Sequence, residues 1–260
     1  MPRYFIELSY KGTAYSGFQV QKNSITIQSE AEKALKIFFK QWYSLTGASR
    51  TDAGVHALQN FFHFDTDLLL NENKSINESQ TSKVPDLKES GYVYNLNAIL
   101  PHDIVIKRIF EVDKNANCRF DAVSREYKYF IYNNKNPFLE DRAFYFPYAL
   151  DKNKLNEAAA LILLTKDFSS FSKRNTQVNN FICEIMKSEW IQEKNTLVYN
   201  VKANRFLRGM VKGLVGTMLR VGANKISLDE FENIINKRDC SKADFSVKPH
   251  ALFLIAVNYI

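Results

Sequence analysis

Cysteine is scarce in this sequence. Its 260 residues contain three cysteines, Cys118, Cys183 and Cys240, which lie far apart along the chain. They form no CxxC pair and no regular Cys/His spacing, which argues against a zinc site and against a disulfide framework. We therefore expect no metal, and a reducing compartment, the cytoplasm, is the natural interpretation.

Long apolar runs are also missing. No uninterrupted apolar segment approaches the roughly 20 residues that a helix needs to cross a bilayer. The first residues, MPRYFIELSY, are typical of a β-strand and not of a signal peptide. We expect a soluble intracellular protein with no membrane partner.

Acidic residues are outnumbered by basic ones. The chain has 35 Lys and Arg against 28 Asp and Glu, a formal charge of +7 at neutral pH. An excess of this size favours a polyanionic partner such as a nucleic acid, although a basic housekeeping enzyme would have a similar balance. The length allows one large domain or two ordinary ones, and the 45% hydrophobic content supplies a core.

Strand-like and helix-like segments alternate along both halves of the chain. Over residues 3–10, Tyr4, Ile6, Leu8 and Tyr10 alternate with polar residues, which is typical of a half-buried strand. Further strands are predicted at 42–46, 57–64, 104–112, 126–132, 182–192, 197–204 and 252–259. The strands at 182–192 and 197–204 are predicted to form a hairpin that turns at Lys194 and Asn195. Helices are predicted at 27–39, 94–100, 155–162, 207–218 and after a capping box at 227–230.

This order of elements predicts an α+β protein of two similar lobes, each a mostly antiparallel or mixed sheet with helices on one face. The first lobe is predicted to span 1–112 and the second 113–260. Residues 71–91 are rich in Asn, Ser, Lys and Glu, and we expect an exposed, variable loop there.

The segment TGASRTDAGVHAL, residues 46–58, places Arg50 and Asp52 in a loop between Gly47 and Gly54. Glycine tolerates positive φ, so the loop can be tightly folded. One interpretation is a turn with solvated charges. The other is a reactive carboxylate, acting as nucleophile or base, that a nearby cation keeps ionised by lowering its pKa by ~1–3 units.

Histidines near this loop raise the possibility of a metal site. His56, His63 and Asp65 have no regular ligand spacing, so we do not predict one. His63 lies on a predicted strand and is expected to be a packed or hydrogen-bonded imidazole.

A second cation for Asp52 can come from residues 203–222. Arg205, Arg208 and Lys212 are spaced to share one face of the predicted helix. Gly209, 213 and 216 each cost about 1 kcal/mol in a helix relative to alanine, which indicates close approach to another backbone, although loose packing would also account for them.

Several segments together resemble the tRNA pseudouridine synthase A family. The three signature segments are SRTDAGVHA, SREYKYFIYN and FLRGMVKGLVGTML, and they occur in the family's order. Supporting matches are YKGTAYSGFQVQ, LNAILPHDIVI, CRFDAVSREYKY, DFSSF and ALFLIAVNY, so the resemblance covers nearly the whole chain.

The resemblance implies four catalytic roles. Asp52 matches the essential nucleophile, and Arg50 the residue associated with extruding the target base. Tyr127 matches the tyrosine that stacks on the flipped uracil and is implicated in removing its C5 proton. Lys212 occupies the position where the family usually has an arginine paired with the aspartate; lysine keeps the charge but loses the bidentate fork. Leu252 matches the leucine that lines the pocket.

The family isomerises uridine to pseudouridine at positions 38, 39 and 40 of tRNA, in the anticodon stem-loop. The reaction replaces a C–N bond by a C–C bond without net hydrolysis or redox change, so no cofactor is expected. The resemblance also implies a homodimer. Recognition is expected to depend on tRNA shape and phosphates, through basic residues at Arg119, Arg125, Lys173, Arg174, Arg205 and Arg208.

Two other functions compete with this prediction. A tRNA-binding protein or chaperone could keep the scaffold without catalysis, although the intact Asp52 and Tyr127 argue against it. A carboxylate-based hydrolase of glycosidic bonds would need a second acid near Asp52, and the loop holds none.

Overall fold

The computed structural model describes residues 1–67, 91–174, 178 and 180–259. The predicted variable loop at 71–91 lies outside the described residues except for Gly91. Helices occur in all five predicted regions, although their bounds differ from those predicted. They are α1 (Ile27–Phe39), α2 (Gly91–Ile99), α3 (Lys152–Leu164), α4 (Met210–Gly222) and α5 (Leu228–Lys237).

The described part of the chain contains one mixed sheet. Its strands are β1 (Arg3–Tyr10), β2 (Thr46–Gly47), β3 (His56–Asp65), β4 (Ile104–Val112), β5 (Ser124–Tyr132), β6 (Phe144–Tyr145), β7 (Ile185–Glu193), β8 (Thr196–Ala203) and β9 (Leu252–Asn258). Their order in the sheet is β4-β1-β3-β9-β5-β8-β7, and the short strands β2 and β6 pair with β3 and β5, respectively, beside this path.

The C-terminal strand joins the two halves of the sheet. β9 pairs in parallel with β3 and antiparallel with β5. Helices α1 and α2 pack together beside β4, while α3 packs on β7 and against α4. The α+β class with a mixed sheet is confirmed, and the boundary at 112/113 remains a prediction. Because β9 carries both neighbours, it brings the loop before β3 close to β5.

β1 is buried on both faces, not on one as predicted. Phe5 and Glu7, on the face opposite Ile6, are only 4% and 7% exposed. Phe5 packs against the rings of Phe61 and Phe110. Glu7 pairs with Arg108 at 2.5 Å. A paired charge and an aromatic cluster therefore cover the face that the alternation assigned to solvent.

The prediction of a strand at 42–46 is wrong for 42–45. Of the predicted residues, only Thr46 lies in a strand, β2. The backbone N–H of Leu45 donates to Glu32 Oε1 of α1 at 3.0 Å. Trp42 is 58% exposed, with the Lys36 ammonium 5.6 Å from its ring centroid. A carboxylate on the helix takes the hydrogen bond that a neighbouring strand would otherwise accept.

The basic helix begins later than predicted. Gly209 has φ +74° and is the N-cap of α4, so Arg205 and Arg208 precede the helix and do not share a face with Lys212. The helix is buried nearly all round, Arg220 being its only residue that is not buried. A Cβ on Gly216 would lie 2.2 Å from the Asp244 carbonyl oxygen, so the predicted close backbone approach is confirmed there.

Two local predictions are confirmed. The hairpin of β7 and β8 turns at Lys194, which has φ +50°. Ser227 and Glu230 form the capping box of α5, with hydrogen bonds of 3.1 and 2.8 Å. Among the described helices, none combines the length and apolar character that a bilayer crossing requires.

The packing of α4 generates a stability prediction. Gly216→Ala is expected to lower the free energy of unfolding by about 2 kcal/mol, because its Cβ must displace backbone. Gly91→Ala is the control, because a Cβ there meets nothing nearer than 3.8 Å. Denaturant titration measures both, and equal effects of the two substitutions would contradict the close-approach explanation.

Candidate active site

The loop between β2 and β3 is shaped by two different properties of glycine. Gly54 has φ +79°, as a tight turn requires, and Pro249 lies 3.0 Å from where its Cβ would be. Gly47 is not among the positive-φ residues and lies in β2. A Cβ on Gly47 would lie 2.2 Å from the Phe18 ring, so its role is close packing and not turn geometry.

The loop directs Asp52 toward the first turn of α4. Lys212 Nζ lies 3.0 Å from Asp52 Oδ2. The side chain of Lys212 is 9% exposed and that of Asp52 30%. A lysine in the first turn of a helix is unfavourable, because the helix N-terminus carries a partial positive charge. The Asp52 carboxylate compensates both this partial charge and the charge of the ammonium. The two halves of the chain thus meet in a largely buried ion pair, with Asp52 partly open to solvent.

Tyr127 on β5 forms another side of this site. It is 8% exposed, and its ring meets the ring of Phe206 edge-on at 5.0 Å between centroids. Burial, followed by the nearby Tyr10 hydroxyl, raises the pKa of Tyr127, with a further contribution from the charge of Asp52. The phenol is therefore protonated at neutral pH. Phe206 was not predicted, although it opens the quoted segment FLRGMVKGLVGTML.

A buried polar network holds the residues directly before Asp52. The side-chain amide of Asn60 donates to the Ser49 carbonyl at 2.8 Å and to the Tyr10 hydroxyl at 3.2 Å. The Tyr10 hydroxyl shares a 2.8 Å hydrogen bond with Thr51 Oγ1. We did not predict this network from the sequence. The available signal was Asn60, a side-chain amide within a mostly apolar strand segment.

The histidine after the loop is structural. The Gly12 N–H donates to His56 Nδ1 at 3.0 Å, so Nε2 carries the proton and donates to the Asp141 carbonyl at 3.1 Å. Burial lowers the pKa of His56. Lys11 pairs with the Asp141 carboxylate and, with Arg142, lowers the pKa of Asp141 to about 2. The neutral imidazole therefore links the loop to the segment around 141.

His63 is hydrogen-bonded, as predicted. Its Nδ1 lies 3.2 Å from Cys118 Sγ, and both residues are buried. Burial lowers the pKa of His63 and raises that of Cys118 to about 12, so both groups are neutral. Within residues 1–67, 91–174, 178 and 180–259, no group of three or more His, Cys, Asp or Glu side chains is arranged to hold a metal ion.

Two of the predicted RNA contacts lie at the N-terminal end of α4. The Lys173 N–H donates to the Arg208 carbonyl at 3.0 Å, and Arg208 is exposed. Arg205 is close enough to Cys183 for its charge to offset part of the burial that raises the Cys183 pKa to about 11. Arg174 is exposed and lies 3.7 Å from Asp239.

The other predicted basic residues lie near the Asp52 loop. Arg50 and Arg119 are exposed. Arg125 is half-buried, and its guanidinium donates to the carbonyls of Ala122, Asn204 and Arg119 at 2.8, 3.0 and 2.5 Å. Three backbone acceptors make Arg125 a support for two loops.

The predicted pocket residue Leu252 begins β9 and is 6% exposed. It lies opposite Tyr129 in the β5 register, two pairs from Tyr127, which lies opposite Leu254. Phe168 and Phe171 are fully buried in the core. The site therefore combines residues from the β2–β3 loop, β5, β9 and α4.

Known proteins similar to this chain share one description. A family model described as tRNA pseudouridine synthase matches residues 158–260. The tRNA pseudouridine synthase A of Bacteroides fragilis is 42% identical over 258 residues, 99% of this chain and 96% of that protein. The protein of the same name from Azobacteroides pseudotrichonymphae is 40% identical, covering 100% and 97%. That of Pseudothermotoga lettingae is 35% identical, covering 100% of both.

Removing the Tyr10 hydroxyl should loosen the loop. We expect Tyr10→Phe to speed amide exchange at Val55 and Phe18, whose N–H groups donate to the loop carbonyls of Asp52 and Thr51. The free energy of unfolding should fall by about 1 kcal/mol. Hydrogen exchange followed by NMR measures the first effect, and denaturant titration the second.

Tyr199→Phe is the matched control. Its hydroxyl is as deeply buried and shares a 2.9 Å hydrogen bond with Ser188 in the β7–β8 half of the sheet. It should cost similar stability and leave exchange at Val55 and Phe18 unchanged. Faster exchange at those amides in both variants would contradict a specific role for Tyr10.

Protonation of His56 should weaken the fold. Its folded-state pKa is below the ordinary 6.5, so its contribution to stability is complete above pH 6.5 and is lost as pH falls through the folded value. Asn in its place can accept the Gly12 hydrogen bond without titrating, so His56→Asn should show a shallower stability loss between pH 7 and 5. His102→Asn, at an exposed position, should follow the native curve. Identical curves for His56→Asn and native protein would contradict this assignment.

Proposed function

The chain belongs to the tRNA pseudouridine synthase A family and is a tRNA pseudouridine synthase, and we propose that it isomerises uridines 38, 39 and 40 of the anticodon stem-loop with Asp52 as nucleophile. The observation that carries the proposal is the Asp52–Lys212 pair, 3.0 Å apart, beside the buried Tyr127. It is the charged and aromatic constellation that the resemblance assigns to these positions.

Lys212 keeps Asp52 reactive. A carboxylate that loses water contacts tends to take up a proton, and an adjacent ammonium opposes this tendency. Lys212 contacts Oδ2, and the Asp52 side chain is 30% exposed, so the carboxylate is still accessible to a substrate. The nearly buried lysine has little freedom to leave the pair, so the charge stays in place while substrate enters.

Three routes are open to the Asp52 carboxylate. It can attack C1′ and displace uracil as the C–N bond breaks, remove the C2′ proton to form a glycal, or add to uracil C6. In each route the base turns so that C5 bonds to C1′, the C5 proton leaves, and N1 gains a proton. The reaction is therefore an isomerisation in which the aspartate is regenerated.

Tyr127 holds the uracil and handles the C5 proton. Its ring packs edge to face with the ring of Phe206, which fixes its orientation for stacking on a base. Because burial keeps the phenol protonated, its oxygen can accept the C5 proton only as its own proton leaves. Leu252 bounds the pocket on the β9 side in the same proposal.

The target uridine must leave its stack before reaction, at a cost of a few kcal/mol. Arg50 lies two residues before Asp52 and is exposed, and in this proposal it fills the vacated position. Phosphate contacts then come from Lys173, Arg174, Arg205, Arg208 and Arg119, and Arg125 supports the loop of Arg119 and the residue before Arg205. Homodimeric assembly, a cytoplasmic location and lobes divided at 112/113 belong to the same proposal.

A tritium-release assay tests this function. With tRNA labelled at uracil C5, the native protein should release tritium, and Asp52→Asn should lower the rate by at least ~10³-fold because it removes the nucleophile. Asp65→Asn is the matched control. Asp65 also forms an ion pair, 2.7 Å from Arg3, but it lies outside the Asp52 loop.

Asp65→Asn should release tritium near the native rate. Binding of tRNA without any release by native protein would contradict the proposal in favour of a non-catalytic tRNA-binding protein. Free uracil in solution would contradict it in favour of a hydrolase. Equal activity of Asp52→Asn and native protein would exclude Asp52 as nucleophile.

A further inference from the structure

The loop at 117–122 has a backbone held by side chains. Asn117 Oδ1 accepts from the N–H groups of Arg119 and Phe120 at 3.0 and 3.2 Å. The Asn117 N–H in turn donates to Asp121 at 2.7 Å. Arg125 donates to the Arg119 carbonyl at 2.5 Å. The loop is therefore fixed before any ligand binds.

Two anchors place this loop beside the site. Cys118 Sγ donates to the carbonyl of Thr46 at 3.1 Å, and Thr46 lies in β2, which leads into the Asp52 loop. Arg125, which holds the loop through the Arg119 carbonyl, lies two residues before Tyr127 on β5. The loop is thus tied both to the segment that presents the carboxylate and to the strand that presents the tyrosine.

The side chains at the tip of this loop are left in solvent. Phe120 is 76% exposed, and the Arg119 guanidinium lies 5.4 Å from its ring centroid. Within the described part of the chain, neither Arg119 nor Arg50 forms an ion pair with an acid. An exposed phenylalanine on a rigid loop forgoes the burial that usually stabilises such a residue.

Arg50 is a further exposed cation, two residues before Asp52. Desolvation, followed by the charge of Arg119, lowers the pKa of Arg50. Its part in the proposed function is to fill the position of the extruded base, so the phosphate contact falls to Arg119. The Phe120 ring and the Arg119 guanidinium together match the base and the phosphate of one nucleotide.

We propose that Arg119 and Phe120 form a nucleotide-binding element at the edge of the site, in which Phe120 stacks on an unpaired base next to the target uridine and Arg119 holds the adjoining phosphate. The proposal rests on the proposed function for the identity of the ligand, a single-stranded stretch of RNA. Stacking is tolerant of base identity, which suits an enzyme that accepts uridines at neighbouring positions.

A similar pair elsewhere provides the control. Tyr148 is 63% exposed, and the Lys225 ammonium lies 5.6 Å from its ring centroid. Lys225 follows the C-terminal end of α4, whereas Lys212 lies in its first turn, and a helix of this length spans about 20 Å. Tyr148 therefore reproduces the chemistry of Phe120 at the far end of the helix.

The test is binding of an unmodified anticodon stem-loop RNA with uridine at position 39. Phe120→Leu should weaken binding about 5- to 100-fold, the range for loss of one stacked base, and Phe120→Tyr should stay within about 3-fold of native protein. Tyr148→Leu should bind as native. Arg119→Gln should reduce the salt dependence of binding by about one phosphate contact, and Phe120→Leu should leave it unchanged.

Fluorescence locates the contact independently of affinity. The emission of Phe120→Trp, after subtraction of Trp42 and Trp190, should be quenched by the RNA, and that of Tyr148→Trp should not. Native affinity of Phe120→Leu, or equal quenching at both positions, would overturn the proposal. Tritium release by the native protein is read separately, so a failure of the stacking element is distinguishable from a failure of the synthase assignment.

Discussion

The ion pair between Asp52 and Lys212 is the interaction on which the rest of the site depends. It joins a loop of the first half of the chain to a helix of the second, in surroundings where either charge alone would be costly. The pair forms only if the β2–β3 loop turns at Gly54 and α4 packs closely at Gly216. Its geometry also explains why α4 carries a lysine in its first turn, since the carboxylate offsets a charge that the helix dipole disfavours.

Around this pair, most of the polar groups position other groups and do not react. Tyr10 and Asn60 hold the backbone before Asp52, and His56 anchors the residues after it. Arg125 supports two loops through three carbonyls. Such a rigid support keeps the carboxylate in place without a substrate, which lowers the reorganisation needed when a substrate binds. The proposed role of Phe120 extends the same principle to the RNA beside the target base.

The local sequence predicted most of the helices and strands, but it did not predict what packs around them. Alternation placed β1 correctly but could not show that Phe5 and Glu7 would be covered, because β3 and β4, which flank β1, come much later in the chain. Spacing placed Arg205 and Arg208 on the helix of Lys212, and the left-handed Gly209 separates them. The spacing offered Arg205, Arg208 and Lys212 as cations for Asp52, and the choice of Lys212 followed from the resemblance. The contact of Tyr10 with Thr51, in contrast, depends on the register of β1 on β3. The parallel pairing of β9 with β3 joins residues about 200 positions apart, beyond the reach of any local pattern.

The central claim is that a positive charge at position 212 holds Asp52 ready to react. The most direct test compares steady-state pseudouridine formation on one tRNA by native protein, Lys212→Arg and Lys212→Met, each checked for an intact fold. Arginine, which the family usually has at this position, should keep kcat within about 10-fold of native, whereas methionine, similar in length but neutral, should lower it on the order of 100-fold or more. Native-like turnover by Lys212→Met, or equal loss in both variants, would contradict the account.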